Sequence, residues 1–176
     1  VREVKPDVVV NAAAYTAVDR AEAEPELATR INGTAPGVLA EEAKRLDALL
    51  VHYSTDYVFD GTKATPYVES DAPNPINAYG RTKLAGEREA GPSATVVRTS
   101  WVSGSNGNNM VKTVLRLAAE QPSLSFVDDQ RGCPTFTTDL AVTVRRLAID
   151  RRIGVYHATN QGAVSWYEFV QDVVEA

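Results

Sequence analysis

The sequence predicts an α/β fold built on a parallel sheet. Short, continuous apolar runs rich in β-branched residues recur along the chain, and segments with helical spacing separate them. Runs of this kind suit strands buried on both faces, as in a parallel sheet covered by helices. Strands that alternate with helices are typical of βαβ units. The chain has 176 residues, of which 44% are apolar and 23% charged, a composition that fits one globular domain or part of a larger protein.

The first half of the chain contains two predicted strands. In chain order its elements are strand 7–14, helices 16–23 and 24–46, strand 48–54 and loop 63–75. Pro25 is tolerated because it stands in the first turn of the second helix. Glu22, Glu24 and Glu26 fit a solvated helix face, and Asp60-Gly61 indicates a turn.

The second half continues the alternation. Its predicted elements are helix 76–90, strand 94–98, helix 109–120, strand 124–127, helix 138–149, strand 154–158 and a last helix from Ser165. Ser165 with Glu168 three residues later forms a capping-box pattern. In open α/β sheets, ligands bind at the carboxyl ends of the strands. Segments 11–16, 54–59 and 99–101 are therefore the candidate site segments.

Bulk properties exclude several functions. The net charge is −5 and no cluster of Lys and Arg suits a phosphate backbone, so we expect no nucleic-acid partner. No apolar run approaches the roughly 20 residues that a membrane crossing needs. Cys133 is the single cysteine, so no internal disulfide forms, and without a recognisable signal peptide we expect a cytoplasmic protein. His52 and His157 are isolated, and we predict no metal site.

The most informative pattern is the pair Tyr79 and Lys83. Four residues apart on a predicted helix, the two side chains share one face. An ammonium beside a phenol favours the phenolate, so we expect Lys83 to lower the pKa of Tyr79 into a range useful for acid/base catalysis. Ser54-Thr55 ends the preceding strand and offers a hydroxyl to a substrate oxygen. Together these groups predict proton transfer to or from a sugar or alcohol oxygen, with the hydride supplied by a nicotinamide.

Several longer motifs extend this pattern over nearly the whole chain. They are VNAAAYTAVD at 10–19, STDYVFDG at 54–61, PINAYGRTK at 75–83, RTSWV at 98–102 and DDQRGCPT at 128–135. On these motifs the chain resembles the extended short-chain dehydrogenases/reductases, and most closely the dTDP-4-dehydrorhamnose reductase family. The resemblance implies a Rossmann-type, doubly wound parallel sheet with a small substrate-binding lobe. The core would comprise residues 1–102 and about 138–159, and the lobe about 103–137 and 160–176.

The resemblance also implies a reaction and a set of roles. NADPH or NADH would reduce the 4-keto group of dTDP-4-dehydro-6-deoxy-L-mannose to give dTDP-L-rhamnose, with the proton coming from Tyr79. Lys83 would hold the nicotinamide ribose, and Thr55 would hydrogen-bond the reacting oxygen. The further cofactor residues would be Ala13, Ala14, Tyr15 and Thr16, and the further substrate residues Asp56, Tyr57, Trp101 and Arg131. The resemblance is also compatible with a divalent cation and with a homodimer. The sequence shows no cluster of metal ligands and no recognisable interface.

Alternatives remain at this stage. Trp101 also fits a core aromatic, Tyr15 simple packing, Thr55 a strand end, and Arg131 a solvated loop. Another nucleotide-sugar epimerase or dehydratase of the same superfamily is an alternative function, although Asp56 is followed by Tyr57 and not by the Glu that a dehydratase adds. A non-enzymatic regulatory homologue is a third possibility, disfavoured by the retention of Thr55, Tyr79 and Lys83.

One expected motif is missing. A dinucleotide needs a glycine-rich turn that opens a helix, and segment 104–107 is the nearest approach without the required spacing. In the resembling family this turn precedes a strand like 7–10, so we expect that the first two strands and the final residues lie outside this sequence. We further expect either a longer native protein or a companion chain that supplies them.

Overall fold

The computed structural model describes residues 1–176, and contacts between its residues divide the chain into two compact units. The first unit contains Val1–Arg98 and Val144–His157, and the second contains Thr99–Thr143 and Ala158–Ala176. The assignment of cofactor and substrate binding to separate parts of the chain stays a prediction.

The first unit is built on a four-stranded sheet. Its strands are β1 (Val8–Asn11), β2 (Leu49–Thr55), β3 (Thr95–Thr99) and β7 (Gly154–His157), and their order is β1-β2-β3-β7. β1 pairs with β2 in parallel, Val8 facing Leu49, and β3 pairs with β7 in parallel, Thr95 facing Gly154. Six of the seven residues of β2 are buried, because β2 lies between β1 and β3 and packs against two helices, Ala35–Arg45 and Ala78–Ala90. The predicted α/β class with a parallel sheet is therefore confirmed.

Helices of the first unit pack on this sheet and on one another. They are α1 (Val18–Ala23), α2 (Pro25–Thr29), α3 (Ala35–Arg45) and α4 (Ala78–Ala90). α3 and α4 contact the strands of the sheet, and α1 and α2 contact α4. A π-helical turn, Arg30–Thr34, joins α2 to α3, so the predicted helix 24–46 contains an extra residue in one turn. A cluster of small and branched side chains packs α3 and α4 against β2 and β3. Its buried members are Ala43, Leu50, Ala90, Ala94 and Val96.

The second unit contains short strands and two complete helices. Its strands are β4 (Val102–Ser103), β5 (Arg131–Gly132), β6 (Thr135–Phe136) and β8 (Val164–Ser165), and its helices are α5 (Met110–Glu120) and α7 (Trp166–Glu175). β4 pairs with β6 in parallel, and β5 pairs with β8 in antiparallel orientation. α6 (Thr137–Ile149) starts in this unit.

One prediction about these segments was wrong and another was confirmed. Residues 124–127 form no strand, and the local pairing is made instead by two-residue strands that sequence periodicity did not indicate. The chain at 127 is held by a different contact, because the Tyr167 amide donates to the Val127 carbonyl at 3.0 Å. The predicted capping box is present: Ser165 Oγ accepts from the Glu168 amide at 3.1 Å, and the Glu168 carboxylate accepts from the Ser165 amide at 2.7 Å. No helix of the structure combines the length and apolar character needed to cross a membrane.

Candidate active site

The end of β2 and the start of α4 place three candidate side chains together. Thr55 is the last residue of β2 and is buried, and a 3₁₀ turn, Asp56–Val58, follows it. The Thr55 hydroxyl donates to Asp56 Oδ1 at 3.0 Å and accepts from the Tyr57 amide at 3.2 Å. The ring of Tyr57 meets the ring of Tyr79 edge to face, with centroids 5.6 Å apart. Thr55 therefore ends its strand and also lies beside the phenol of Tyr79.

The start of α4 is fixed by its neighbours. Asn77 caps the helix by accepting from the Gly80 amide at 2.7 Å. Gly80 packs directly on the Tyr57 backbone, since a Cβ there would lie 2.1 Å from the Tyr57 carbonyl oxygen. Glu22 on α1 accepts from the Ala78 amide at 2.5 Å, where a carboxylate is favoured by the helix N-terminus. Tyr79 is thus held on a helix whose first turn is clamped on two sides.

This arrangement corrects the interpretation of the acidic residues on α1 and α2. Glu22 also pairs with Arg81 at 3.5 Å. Glu24 accepts from the Tyr15 hydroxyl at 2.5 Å and from Arg20 at 2.8 Å. Glu22 is exposed, as expected for a solvated face, but its carboxylate also bonds α4; for Glu24 the expectation was wrong, because this half-buried carboxylate bonds the loop after β1. Their distant partners left no signal in local spacing.

The pKa of Tyr79 differs from the expectation. Burial raises the pKa of Tyr79 to about 12, a hydrogen bond from the neighbouring Thr55 opposes this shift, and the charges of Asp56 and Tyr57 add to it. Lys83 is not among the groups that shift the pKa of Tyr79, and its ammonium donates to the Tyr53 carbonyl at 2.7 Å. Tyr79 is consequently a neutral phenol across the physiological range, which is the protonation state of a general acid.

Lys83 and Asp56 are perturbed in opposite senses by burial. Lys83 is 2% exposed, and its desolvation lowers its pKa to about 8, while Glu87 raises it in part. Desolvation raises the pKa of Asp56 to about 6, and hydrogen bonds from Thr55 and from backbone amides oppose that rise. Strongly shifted groups that converge at one strand end are typical of functional sites.

The loop after β1 is the expected cofactor segment, and much of its backbone is already bonded. The Ala13 amide donates to Asn11 Oδ1 at 3.2 Å. The Tyr15 amide donates to Asn32 Oδ1 at 2.8 Å, and Asn32 Nδ2 donates to the Tyr15 carbonyl at 3.0 Å. Among the four predicted loop residues, Ala14 and Thr16 keep amides without a protein partner. Their predicted part in cofactor binding, and that of Ala13 and Tyr15, stays a prediction.

The remaining substrate candidates lie in the second unit. Trp101 adopts a φ of 46°, a left-handed conformation that is uncommon for a bulky residue, and stacks on Trp166 with centroids 3.6 Å apart. Gly132 lies against this indole, since a Cβ there would come within 2.6 Å of Trp101 Cε2. Backbone conformations of this kind cluster at functional sites. Phe169 meets both indoles edge to face and completes an aromatic cluster.

Arg131 is also placed in the second unit, at the start of β5. Its guanidinium pairs with Glu168 at 3.0 Å and donates to the Ala163 carbonyl at 3.1 Å. About half of the Arg131 side chain is exposed. Exposed ion pairs contribute little to stability, so this guanidinium can exchange Glu168 for an anionic ligand at low cost.

A chain with a parallel sheet, a Tyr-x-x-x-Lys pair on a helix and a threonine at the adjacent strand end has the fold and the side-chain pattern of a short-chain dehydrogenase/reductase. A family model described as "RmlD substrate binding domain" matches residues 1–176, and the chain belongs to this family. The resemblance predicted from the sequence is thereby confirmed.

Individual relatives agree with this assignment. The chain is 48% identical to a dTDP-4-dehydrorhamnose reductase of Burkholderia thailandensis, over 99% of this chain and 62% of the relative. It is 46% identical to a dTDP-4-dehydrorhamnose reductase of Salmonella typhimurium, over 96% and 59%. A crystal structure of the Bacillus anthracis dTDP-4-dehydrorhamnose reductase in complex with NADP superposes with a TM-score of 0.96 at 41% identity, over 99% of this chain and 63% of that protein. The chain thus spans about three fifths of the length of these relatives.

Proposed function

We propose that this chain supplies the catalytic groups of an NAD(P)H-dependent reductase that converts dTDP-4-dehydro-6-deoxy-L-mannose to dTDP-L-rhamnose. The observation that supports it most strongly is the placement of the Thr55 hydroxyl beside the half-buried, neutral phenol of Tyr79 at the carboxyl end of β2. Similarity over nearly the whole of this chain, and about three fifths of each relative, to proteins named dTDP-4-dehydrorhamnose reductase supports the choice of substrate.

In this proposal Tyr79 is the general acid. Reduction of a ketone places negative charge on the carbonyl oxygen, and the resulting alkoxide is a stronger base than a phenolate. A phenol with a pKa of about 12 therefore holds its proton until the oxygen becomes basic and then releases it. Thr55 orients the same oxygen when its hydroxyl turns its single proton from Asp56 Oδ1 to the substrate. A lowered Tyr79 pKa is unnecessary in this direction of reaction.

Lys83 fits a nicotinamide nucleotide. NADPH or NADH, when bound, supplies the hydride that reaches the sugar C4. An ammonium has three donors, and Lys83 commits one of them to the Tyr53 carbonyl, so two remain for the hydroxyls of a ribose. We assign the loop residues Ala13, Ala14, Tyr15 and Thr16 to the cofactor side. For Ala13 and Tyr15 the contact would be made by side-chain or carbon atoms, because their amides are already bonded.

Asp56, Tyr57, Trp101 and Arg131 are proposed to contact the nucleotide sugar. Asp56 and Tyr57 adjoin the reacting hydroxyls of Thr55 and Tyr79. The indole of Trp101 offers an apolar face to a sugar ring. Arg131 offers a planar guanidinium to a diphosphate, since its fork matches the spacing of phosphate oxygens.

The assembly and compartment belong to the same proposal. β1 is an edge strand of the sheet, and its residue Val10 is half exposed. We propose that a further strand and a glycine-rich turn from outside these 176 residues, in the same polypeptide or in a companion chain, cover this edge and hold the pyrophosphate. We further propose a cytoplasmic homodimer. Intact-mass measurement and light scattering on the purified native protein test these points.

An activity assay tests the reaction. The full-length protein is mixed with dTDP-4-dehydro-6-deoxy-L-mannose and either NADPH or NADH, while nicotinamide absorbance and the sugar product are followed together. The proposal predicts stoichiometric loss of reduced nicotinamide and appearance of dTDP-L-rhamnose. A new sugar formed without net nicotinamide oxidation would indicate an epimerase. A folded protein that binds the cofactor but leaves both compounds unchanged would favour a regulatory role.

A further inference from the structure

One face of α4 extends beyond the Tyr79 and Lys83 pair. Glu87 lies four residues after Lys83 and occupies the same face one turn further along the helix. Its side chain is 6% exposed, as is that of Arg98, and the two form a buried ion pair. A buried carboxylate on the helix that carries the proposed acid has no part in the chemistry described above.

Glu87 uses both of its oxygens. Oε1 accepts from the Ser54 hydroxyl at 2.5 Å and from Arg98 Nε at 2.9 Å, and Oε2 accepts from Arg98 Nη2 at 2.7 Å. Ser54 immediately precedes Thr55 on β2, and Arg98 lies on β3. The carboxylate therefore joins α4 to the ends of two neighbouring strands.

Arg98 is held in place by more than Glu87. Its guanidinium carbon lies 5.1 Å from the centroid of the Phe59 ring, within range of a cation–π interaction. Arg98 Nη1 is buried and has no hydrogen-bond partner. Desolvation makes a buried ion pair a weak source of stability, and apolar residues of similar volume often replace such pairs without loss. Stability alone does not explain this pair.

We propose that Glu87 is a positioning residue of the reaction, which ties the Thr55 strand end to α4 and keeps a fixed negative charge one helical turn from Lys83. This inference rests on the proposed function as far as the reaction is concerned. The geometry on which it stands, a carboxylate bonded to Ser54 and Arg98 on the Tyr79 face of α4, is independent of the substrate.

Glu87 is the carboxylate whose charge raises the pKa of Lys83. The titratable groups on other elements that face this part of α4 or its ion pair include Glu22, His52, Arg98, His157 and Glu69; Glu87 raises and Arg98 lowers the pKa of His157, and Arg98 lowers that of Glu69. Glu22 lies at the helix N-terminus, His52 is neutral because burial and Lys83 lower its pKa to about 3, and the Arg98 charge is paired with Glu87. Desolvation lowers the pKa of Lys83, and the negative charge of Glu87 raises it in part. Removing the Glu87 charge is therefore expected to favour neutral Lys83.

The first test is an NMR titration of Lys83 in the full-length protein with ¹³C-labelled lysine, with Lys83→Arg to assign the resonance. Glu87→Gln is expected to lower the Lys83 pKa by on the order of one unit, the usual effect of losing a nearby opposite charge. Glu89→Gln is the matched control, because Glu89 is an exposed acid on the same helix. An unchanged Lys83 pKa in folded Glu87→Gln would overturn the inference. Because no substrate is present, this result does not depend on the reductase assignment.

A second set of variants distinguishes a role of Glu87 in the reaction from a role in folding alone. Glu87→Gln leaves Arg98 buried without its counter-charge and can fail to fold, whereas the double variant Glu87→Met with Arg98→Met removes both charges and keeps apolar volume. The double variant is expected to fold, to show the same lowered Lys83 pKa and to lose at least about tenfold in kcat with little change in KM. Ser54→Ala is expected to lower kcat and leave the Lys83 pKa unchanged. Wild-type Lys83 pKa and wild-type kcat in a folded double variant would show that the pair serves only the fold.

Discussion

The buried side chain of Asn32 forms two hydrogen bonds with the backbone of Tyr15. Its oxygen accepts from the Tyr15 amide at 2.8 Å, and its nitrogen donates to the Tyr15 carbonyl at 3.0 Å. The same nitrogen donates to Thr82 Oγ1 at 3.1 Å, and that hydroxyl donates to the Tyr79 carbonyl at 2.9 Å. One amide in the π-helical turn thus connects the loop after β1 to the helix of Tyr79. This connection fixes the proposed cofactor loop relative to the proposed acid.

Asn32→Asp keeps the shape of the side chain but removes its donor. The Tyr15 carbonyl and Thr82 then lose their partner, and a carboxylate is buried beside a carbonyl oxygen, so we expect a loss of roughly 2–4 kcal/mol in the free energy of unfolding. Urea denaturation at pH 7 measures it. Asn106→Asp, at an exposed position, is the control and should change stability little. Equal stabilities for the two variants would contradict the role of this amide.

His52 predicts a specific loss of stability in acid. Asn11 Nδ2 lies 3.1 Å from His52 Nδ1, and burial, together with Lys83, lowers the His52 pKa to about 3. The unfolded chain binds this proton near pH 6.5 and the native state does not. Stability is therefore fully present above about pH 6.5 and falls as the pH drops towards 3, by about 2 kcal/mol between pH 7 and 5. His52→Gln should remove this loss of stability in acid. Urea denaturation of wild type and variant at several pH values between 7 and 5 measures it as the difference between the two proteins.

Asp56 predicts a pH effect of the opposite sign. Burial raises its pKa to about 6, so the native state holds a proton that the unfolded chain releases near pH 4. The contribution of Asp56 to the free energy of unfolding therefore falls as the pH rises from about 4 to 6. Above pH 6 the destabilisation is complete and stays constant. Asp56→Asn should therefore be more stable than wild type at pH 7.5 by about 3 kcal/mol, and no more stable at pH 4. A variant less stable at both pH values would show that the charged carboxylate is favourable.

Asp60 organises the loop between β2 and α4. Oδ1 accepts from the Thr62 amide and hydroxyl at 3.1 and 2.8 Å and from the Tyr67 hydroxyl at 2.7 Å, while Oδ2 accepts from Asn74 at 2.9 Å. These bonds hold the pKa of Asp60 well below its usual range. Asp60→Asn puts an amide against the Asn74 amide, so we expect roughly 1–2 kcal/mol of destabilisation and faster proteolysis of residues 61–74. Asp150→Asn, which changes an exposed carboxylate, should be cleaved at the wild-type rate.

The main strands and the shared helix face of Tyr79 and Lys83 were predictable, because their signals lie within a few residues. β2 and β3 are continuous apolar runs, and Tyr79 and Lys83 share a helix face by spacing alone. The strands β4, β5, β6 and β8 have two residues each, which is too short for any periodicity. The apolar residues at 124–127 wrongly indicated a strand. Packing within the second unit, and not local propensity, determines the conformation of this segment.

The polar contacts that support the site were not predictable from spacing. Glu87 and Arg98 are 11 residues apart, and Glu22 and Ala78 are 56 apart. A signal for the first pair did exist: an arginine inside the apolar run TVVRT needs a buried counter-charge. Nothing in the sequence identified which carboxylate provides it. The raised pKa of Tyr79 was also not predictable from the sequence, because it depends on burial by Tyr57 and other residues that the fold brings near.

The most direct measurement compares Tyr79→Phe with Tyr57→Phe in the full-length protein, with saturating NADPH and dTDP-4-dehydro-6-deoxy-L-mannose. Both variants lose one hydroxyl from rings that touch edge to face, so their effects on packing are matched. Loss of a general acid predicts a fall in kcat of about 10²–10⁴-fold for Tyr79→Phe. Tyr57→Phe should act mainly on KM. A Tyr79→Phe enzyme that keeps most of its kcat would contradict Tyr79 as the proton donor.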